Sequence, residues 1–162
     1  MSLDASQFRI ACGHFATGVA IVTMRSQAGE AHGLTANSFT SVSLDPPLIL
    51  VCVDKSISSY PAMTEAEGFL VNILTEQQEE LARRFATPDI DKFAGMETST
   101  DAYGAARIPD CLAYIAARKH SRYDGGDHTV FLAEATSTEL GRGRPLVFYK
   151  GMYGLPGETV GT

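Results

Sequence analysis

The sequence is short of basic charge, of cysteine and of long apolar runs. Thirteen Lys and Arg stand against 19 Asp and Glu, a formal net charge of −6. A surface of that balance disfavours nonspecific contact with nucleic acid or anionic membranes, which needs a basic face, so neither is expected as a partner. Cys12, Cys52 and Cys111 are odd in number and far apart. They suit reduced thiols in a cytoplasmic protein better than a disulfide frame or a zinc knuckle. No apolar run approaches the ~20 residues that span a bilayer. Met1-Ser2-Leu3-Asp4 has neither a basic region nor an apolar stretch after it, so no secretory signal is expected. A Gly-x-Gly-x-x-Gly fingerprint, a Walker loop, His-Glu-x-x-His, Cys-x-x-Cys and a serine nucleophile elbow are all missing, and no metal site is expected. With 162 residues the chain is also too short for a dehydrogenase built from separate nucleotide and substrate domains.

What is present reads as one domain, 1–162, with a core over about 8–153 and a short C-terminal tail, 154–162. Asp4 with Gln7 forms a capping-box pattern, and Phe8, Ala11, Cys12 and Phe15 then recur at helical spacing, predicting a helix over 6–16. The β-branched run 19–24 and the stretch 31–34, separated by Ser26-Gln27-Ala28-Gly29, predict a hairpin. Thr35-Ala36-Asn37-Ser38 is small and polar and reads as a loop, followed by a strand over 39–43. Leu48 to Val53 is apolar at every position, which predicts a strand covered on both faces. A short helix is expected over 57–63, a buried strand with one polar residue, Asn72, over 69–74, and a helix after the capping box Thr75/Gln78. Residues 87–110 show no period and read as a long loop. Leu112 to Tyr123 and His128 to Glu139 flank the turn signal Asp124-Gly125-Gly126-Asp127, and a last strand follows at 146–149. Few helices among many strands predict a mainly β protein, an antiparallel barrel with helices at its ends.

Four stretches carry a resemblance. His32-Gly33-Leu34-Thr35-Ala36-Asn37-Ser38-Phe39-Thr40-Ser41-Val42-Ser43-Leu44-Asp45-Pro46-Pro47-Leu48 runs on to Val51-Cys52-Val53-Asp54. Arg84-Phe85-Ala86 is followed by Asp91-Lys92-Phe93-Ala94-Gly95, and Asp124-Gly125-Gly126-Asp127-His128 comes later. With Phe15-Ala16-Thr17-Gly18-Val19, these resemble the flavin reductase-like family, the small reductase components of two-component flavin monooxygenases. The resemblance implies an FMN-binding type split β-barrel, a homodimer with flavin at its interface, and hydride transfer from NADH or NADPH to FMN or FAD. It also implies that the reduced flavin passes to a separate oxygenase.

Carried over residue by residue, the resemblance lays Thr35, Ala36, Asn37 and Ser38 along the flavin ring. Backbone N–H groups of small residues can approach the ring there and support the negative charge of its reduced form; the same residues also suit an ordinary turn. Cys52, Val53 and Asp54 would pass beside the flavin, with Cys52 equally readable as a core thiol. Lys55 and Ser56 would form a phosphate-binding pair, or else a solvated lysine and a plain helix cap. Asn72, inside an apolar strand, needs partners that either a cofactor or a neighbouring backbone can supply. Phe85, Ala86 and Lys92 resemble the family's second cofactor segment. Lys92, with Arg83 or Arg84, would pair with the flavin phosphate or with the nicotinamide cofactor's pyrophosphate, although the two arginines equally suit a solvated helix face. His128, the one candidate catalytic residue, would face the nicotinamide side. Tyr153 would close the pocket, in a stretch where many relatives carry an arginine and Met152 is apolar. Two further roles suit the same barrel: flavin-dependent reduction of cobalamin or a ferric complex, and noncatalytic flavin binding.

Overall fold

The chain wraps most of its strands into one sheet that is covered on both sides, and the alternation along those strands decides which residue faces which layer. The computed structural model describes residues 3–154, so the expected tail beyond Gly154 lies outside the described residues. In chain order the elements are α1 (Ala5–Gly13), β1 (Thr17–Gly18), β2 (Ala20–Arg25), β3 (Ala31–Ala36), β4 (Thr40–Leu44), β5 (Pro47–Asp54), α2 (Tyr60–Glu65) and β6 (Gly68–Ile73). A 3₁₀ turn, Glu76–Gln78, then leads into α3 (Glu79–Ala86). After it come β7 (Ser99–Thr100), β8 (Ala106–Arg107), β9 (Ala113–Gly125), β10 (His128–Leu140), β11 (Val147–Tyr149) and β12 (Met152–Gly154).

Seven strands form an antiparallel sheet in the order β3-β2-β6-β9-β10-β5-β4, while β1, β11 and β12 form a small separate sheet. The edge strands β3 and β4 are consecutive in the chain. The Ser38 hydroxyl, between them, donates to the Cys52 carbonyl at 2.8 Å and accepts from the Cys52 N–H at 3.2 Å. β3 thereby lies against β5, and the sheet rolls into a barrel without pairing its two edges. This is the mainly β, antiparallel split barrel that the sequence implies.

Two cores result. Val22, Met24, Leu34, Val51, Phe69, Val71 and Phe131 fill the barrel. Ile21, Leu70, Leu74, Phe85, Ile108 and Leu146 pack between the outer face and the layer formed by α3 and the 87–110 segment. β2 and β6 are buried on both faces, so every polar group along them needs a partner. The buried Asn72 amide donates to the Ile21 carbonyl at 3.0 Å and to the Thr23 hydroxyl at 3.2 Å, and its carbonyl accepts from the Ile108 N–H at 2.9 Å. The Thr23 hydroxyl in turn donates to the Ala106 carbonyl at 2.6 Å. Of the two partners considered for Asn72, backbone is therefore the one in place. The residue is 0% exposed, and its task is to fasten β8 to the sheet rather than to meet a cofactor.

Several boundaries differ from the sequence reading. α1 ends at Gly13 because the N–H groups of His14 and Phe15 turn back onto the Ala11 and Cys12 carbonyls, at 3.1 and 3.0 Å. Its Asp4 cap accepts from the Ser6 N–H at 3.1 Å, and the Gln7 N–H also faces the same carboxylate. Thr35 and Ala36 belong to β3 and pair with Ile21 and Ala20, so the small-residue loop begins at Asn37. β5 is buried on one face only: Ile49, Val51 and Val53 point inward, whereas Leu48, Leu50 and Cys52 are half-buried. The short helix starts at Tyr60 rather than at residue 57, and the 87–110 segment contains β7 and β8. The Thr75/Gln78 capping box is present, with the Thr75 N–H donating to Gln78 Oε1 at 3.0 Å.

Replacing Asn72 by alanine removes the partner of the Ile108 N–H and leaves a void among packed strands. Urea unfolding of Asn72→Ala is expected to show a loss of about 2–4 kcal/mol with an unchanged slope. A loss under about 1 kcal/mol would contradict the fastening role.

Candidate functional site

Gly33 is the point where three segments meet. A Cβ there would lie 2.6 Å and 2.8 Å from the ring atoms of Phe85 and 3.4 Å from Phe93, so the missing side chain is what lets the pair settle on β3. Phe85 and Phe93 contact edge to face, with centroids 5.0 Å apart. The Gly33 carbonyl accepts from the Ser59 hydroxyl at 3.0 Å and from Lys92 Nζ at 3.1 Å. The segment carrying Lys92 is held in turn by Arg84, whose guanidinium donates to the Ala94 carbonyl at 2.5 Å.

Beside this junction runs a cleft of about 480 Å³ lined by Thr35, Ser56, Ser58, Phe85, Ala86 and Lys92, with Leu34, Ile57 and Asp89. Its size falls in the usual range of roughly 300–1,000 Å³ for small-molecule sites. Lys92 is half-buried in its wall, and burial pushes its ammonium below the ordinary lysine range. Among the described residues no carboxylate forms an ion pair with it, and one of its three donors reaches Gly33. An anion entering the cleft would meet this ammonium and the Ser58 hydroxyl, whereas the Ser56 hydroxyl already donates to Asp54.

At one rim of the cleft the end of β5 is clasped to the β9–β10 turn. Asp54 pairs with His128 across the strands. The Ser56 N–H and hydroxyl both donate to Asp54 Oδ1, at 2.7 Å each, and these bonds hold the carboxyl below its usual range. The Lys55 N–H donates to the Asp127 carbonyl at 3.0 Å. Its ammonium donates to the Gly126 carbonyl at 2.5 Å and forms an ion pair with Asp124. His128 Nδ1 lies 2.8 Å from Asp127 Oδ1. Because an ionised carboxylate only accepts, the proton of a neutral imidazole belongs on Nδ1, which makes Nε2 the acceptor.

The sequence-derived candidates thus divide. Thr35, Ser56, Phe85, Ala86 and Lys92 come together in the cleft. Asp54, Lys55 and His128 form its rim cluster. Three assignments need correction. The Lys55 charge is already balanced by Asp124, so the residue holds the turn instead of standing ready as a phosphate ligand. Val53 is 1% exposed, main chain included, with its side chain in the barrel core, so it presents no surface to a ligand. Asn72 belongs to the core, as described above. Ala36 is buried as well, and the Thr35 hydroxyl is spent on the Ala82 carbonyl at 2.6 Å, so of that pair only the partly exposed Thr35 can offer main chain. Ser38 is engaged with Cys52, whose half-buried thiol is pushed up by desolvation. Asn37 lines a different, mainly apolar hollow between α1 and Phe148, next to Phe15 and Lys150. Tyr153 packs on Phe148 at 5.3 Å with the Arg83 guanidinium 4.9 Å from its ring centre, outside the residues that line the cleft. Gly33, Ser58, Ser59, Phe93 and Asp127 were not singled out in the sequence. Gly33, Phe93 and Asp127 lie within stretches that carry the resemblance, whereas Ser58 and Ser59 lie beyond Asp54 and have no such signal.

The chain is 40% identical over 152 residues to the reductase component of a 4-nitrophenol 4-monooxygenase/4-nitrocatechol 2-monooxygenase from Rhodococcus opacus, covering 94% of this chain and 81% of that one. It is 38% identical to the reductase subunit HsaB of a flavin-dependent monooxygenase from Rhodococcus jostii RHA1, covering 94% and 78%. The NADH:FAD oxidoreductase SgcE6 of Streptomyces globisporus C-1027, solved with NAD and FAD fragments, superposes with a TM-score of 0.88 at 35% identity, covering 98% of this chain and 100% of that one. Two rhizobial matches are longer, and the chain spans 49% and 54% of them. Residues 12–155 match the flavin reductase like domain, and the chain belongs to that family.

Proposed function

We propose that the protein is an NAD(P)H:flavin oxidoreductase, of the EC 1.5.1 type, that reduces FMN or FAD and supplies the reduced flavin to a separate monooxygenase component. The observation that carries this reading is the cleft at Gly33. It brings residues from three distant stretches, Thr35, Ser56 and Lys92, around one hollow of cofactor size. The donor set fits a flavin phosphate: an ammonium without an ion-paired carboxylate among the described residues, with the Ser58 hydroxyl in the same wall. The relatives named above are reductase components, and one of the solved structures holds NAD and FAD fragments.

A bound flavin supplies the acceptor for the hydride that the reduced nicotinamide brings. What the chain supplies is alignment. Lys92 and Ser58 hold the phosphate, and main chain at Asn37, the exposed residue just after β3, offers hydrogen-bonding groups to a ring. His128, protonated at Nδ1 by its bond to Asp127, offers Nε2 to a carboxamide N–H and so sets the nicotinamide face without taking part in proton transfer. We place the protein in the cytoplasm, a reading supported by its three free thiols and by the lack, among the described residues, of a helix long and apolar enough to cross a membrane. We take the working unit to be a homodimer. What supports this is apolar surface left open: Phe8 and Ile10 on α1 with Phe15 just after it, and Leu44 on β4, which is 94% exposed.

Purified protein is expected to oxidise NADH or NADPH only when FMN or FAD is added, followed by the loss of reduced-nicotinamide absorbance. Silence across all four cofactor pairs would overturn the enzyme reading. His128→Ala should lower kcat/KM for the nicotinamide about tenfold to a hundredfold while flavin affinity stays within about twofold. Because burial lowers the Lys92 pKa, its charge is lost earlier on the alkaline side than that of an ordinary lysine. Flavin affinity should therefore weaken as pH rises towards that point, and Lys92→Met should flatten the dependence as measured by flavin fluorescence titration. Light scattering should give twice the chain mass of 17.4 kDa, and an active species at the single-chain mass would refute the dimer.

A further inference from the structure

Lys55 touches the β9–β10 turn at three points: its N–H on the Asp127 carbonyl, and its ammonium on the Gly126 carbonyl and on Asp124. We propose that Lys55 is a positioning residue, which clasps the Gly126-Asp127 turn to the end of β5 and thereby fixes the direction in which His128 presents Nε2. The inference rests on the reductase reading of this site.

The turn needs such a clasp. Gly126 sits at φ +80° and has no side chain with which to anchor itself, and residues 122–127 are exposed. An exposed two-residue turn at the tip of a long hairpin is among the first places to open locally. His128 Nδ1 is held by Asp127, whose carboxylate is itself 90% exposed, so the imidazole can be no better placed than the Asp127 main chain. That main chain is tied down by the Lys55 N–H, which any residue there would supply, and one residue earlier by the Lys55 ammonium on the Gly126 carbonyl, which is the part particular to lysine. The anchor at the other end is firm. Asp54 and Ser56 brace the residues on either side of Lys55 through two bonds of 2.7 Å. One residue beyond His128, the Thr129 hydroxyl lies 2.9 Å from the Tyr60 hydroxyl of α2.

The competing role, direct binding of a cofactor phosphate, fits the charges less well. Asp54 precedes Lys55, while Asp124 and Asp127 face it from the turn. A phosphate brought to this ammonium would be set among three carboxylates, whereas Lys92 across the cleft has none in an ion pair among the described residues.

The two roles separate in one experiment on the full chain. Amide hydrogen exchange over residues 125–129 is measured without flavin, alongside flavin affinity and nicotinamide kinetics, for wild type, Lys55→Met, Lys55→Arg and Asp124→Asn. The clasp predicts that Lys55→Met raises exchange in that segment and the KM for the nicotinamide, each about tenfold, with flavin affinity within about twofold. Lys55→Arg should restore most of both, since a guanidinium can reach the same acceptors. Asp124→Asn should move both in the same direction by a smaller factor, and combining it with Lys55→Met should add little. Unchanged exchange in Lys55→Met overturns the proposal, as does an arginine variant no better than the methionine one. A tenfold loss of flavin affinity without faster exchange would assign Lys55 to the phosphate instead. A wild-type protein inert towards both nicotinamides would refute the reductase reading, and the exchange comparison would still decide whether the clasp exists.

Discussion

The structure depends on the burial of β2 and β6 on both faces. A strand pair covered on one side only can leave its polar atoms to water, but here neither face can. Thr23 and Asn72 lie side by side across that pair on the outer face, and their hydrogen bonds reach past the sheet to Ala106 and Ile108. The polar seam turns an obligation into a fastening. By satisfying their own groups, these two side chains fix where the outer layer sits on the barrel. The segment after α3 is held at one end through Ala106 and Ile108, and at the other through Arg84 on Ala94 and Lys92 on Gly33. The cleft is therefore a consequence of packing rather than a separate loop construction.

Gly33 carries the same logic into the site. Its missing side chain admits Phe85 and Phe93, and its carbonyl collects Ser59 and Lys92. The carbonyl orients the Lys92 amine yet leaves its charge unbalanced, and partial burial makes that charge costly until an anion arrives. An unbalanced, half-buried cation beside an apolar ring pair is a binding device of known kind, since its desolvation cost is already met before the ligand binds.

The strands were legible because their alternation and turn signals are strong. The β9–β10 hairpin closes at Gly126-Asp127 within the stretch that the sequence marks, and the Thr75/Gln78 box caps the turn ahead of α3 as its spacing implies. What misled the reading was polarity taken locally. Thr35 looks like loop because it is polar, yet its hydroxyl finds the Ala82 carbonyl and its backbone stays in β3. Asn72 looks like a ligand because it is polar in an apolar run, yet its partners lie 36 and 51 residues away in sequence. Lys55 looks like an anion site because it follows a strand and precedes a serine. The carboxylate that occupies it comes from Asp124, which only the folded hairpin brings near. In each case the competing partner is distant along the chain, where a pattern of neighbours carries no information. The resemblance named segments of which several meet at the cleft, because it compares whole stretches and so preserves long-range packing that single residues do not reveal.

Under the proposed reductase function, the rim cluster would let an exposed turn serve a demanding reaction. Hydride transfer asks for two rings at close and constant separation, and moves no proton that a side chain must hold at the same instant. A histidine in that place needs direction more than a tuned pKa. Asp127 gives it a fixed tautomer and Lys55 gives it a fixed base, both from groups that remain in water and cost little to desolvate. The barrel supplies rigidity where the flavin phosphate and ring would be held. On the same proposal the turn would supply a contact that a departing nicotinamide can release, which would suit a site through which two cofactors pass in succession.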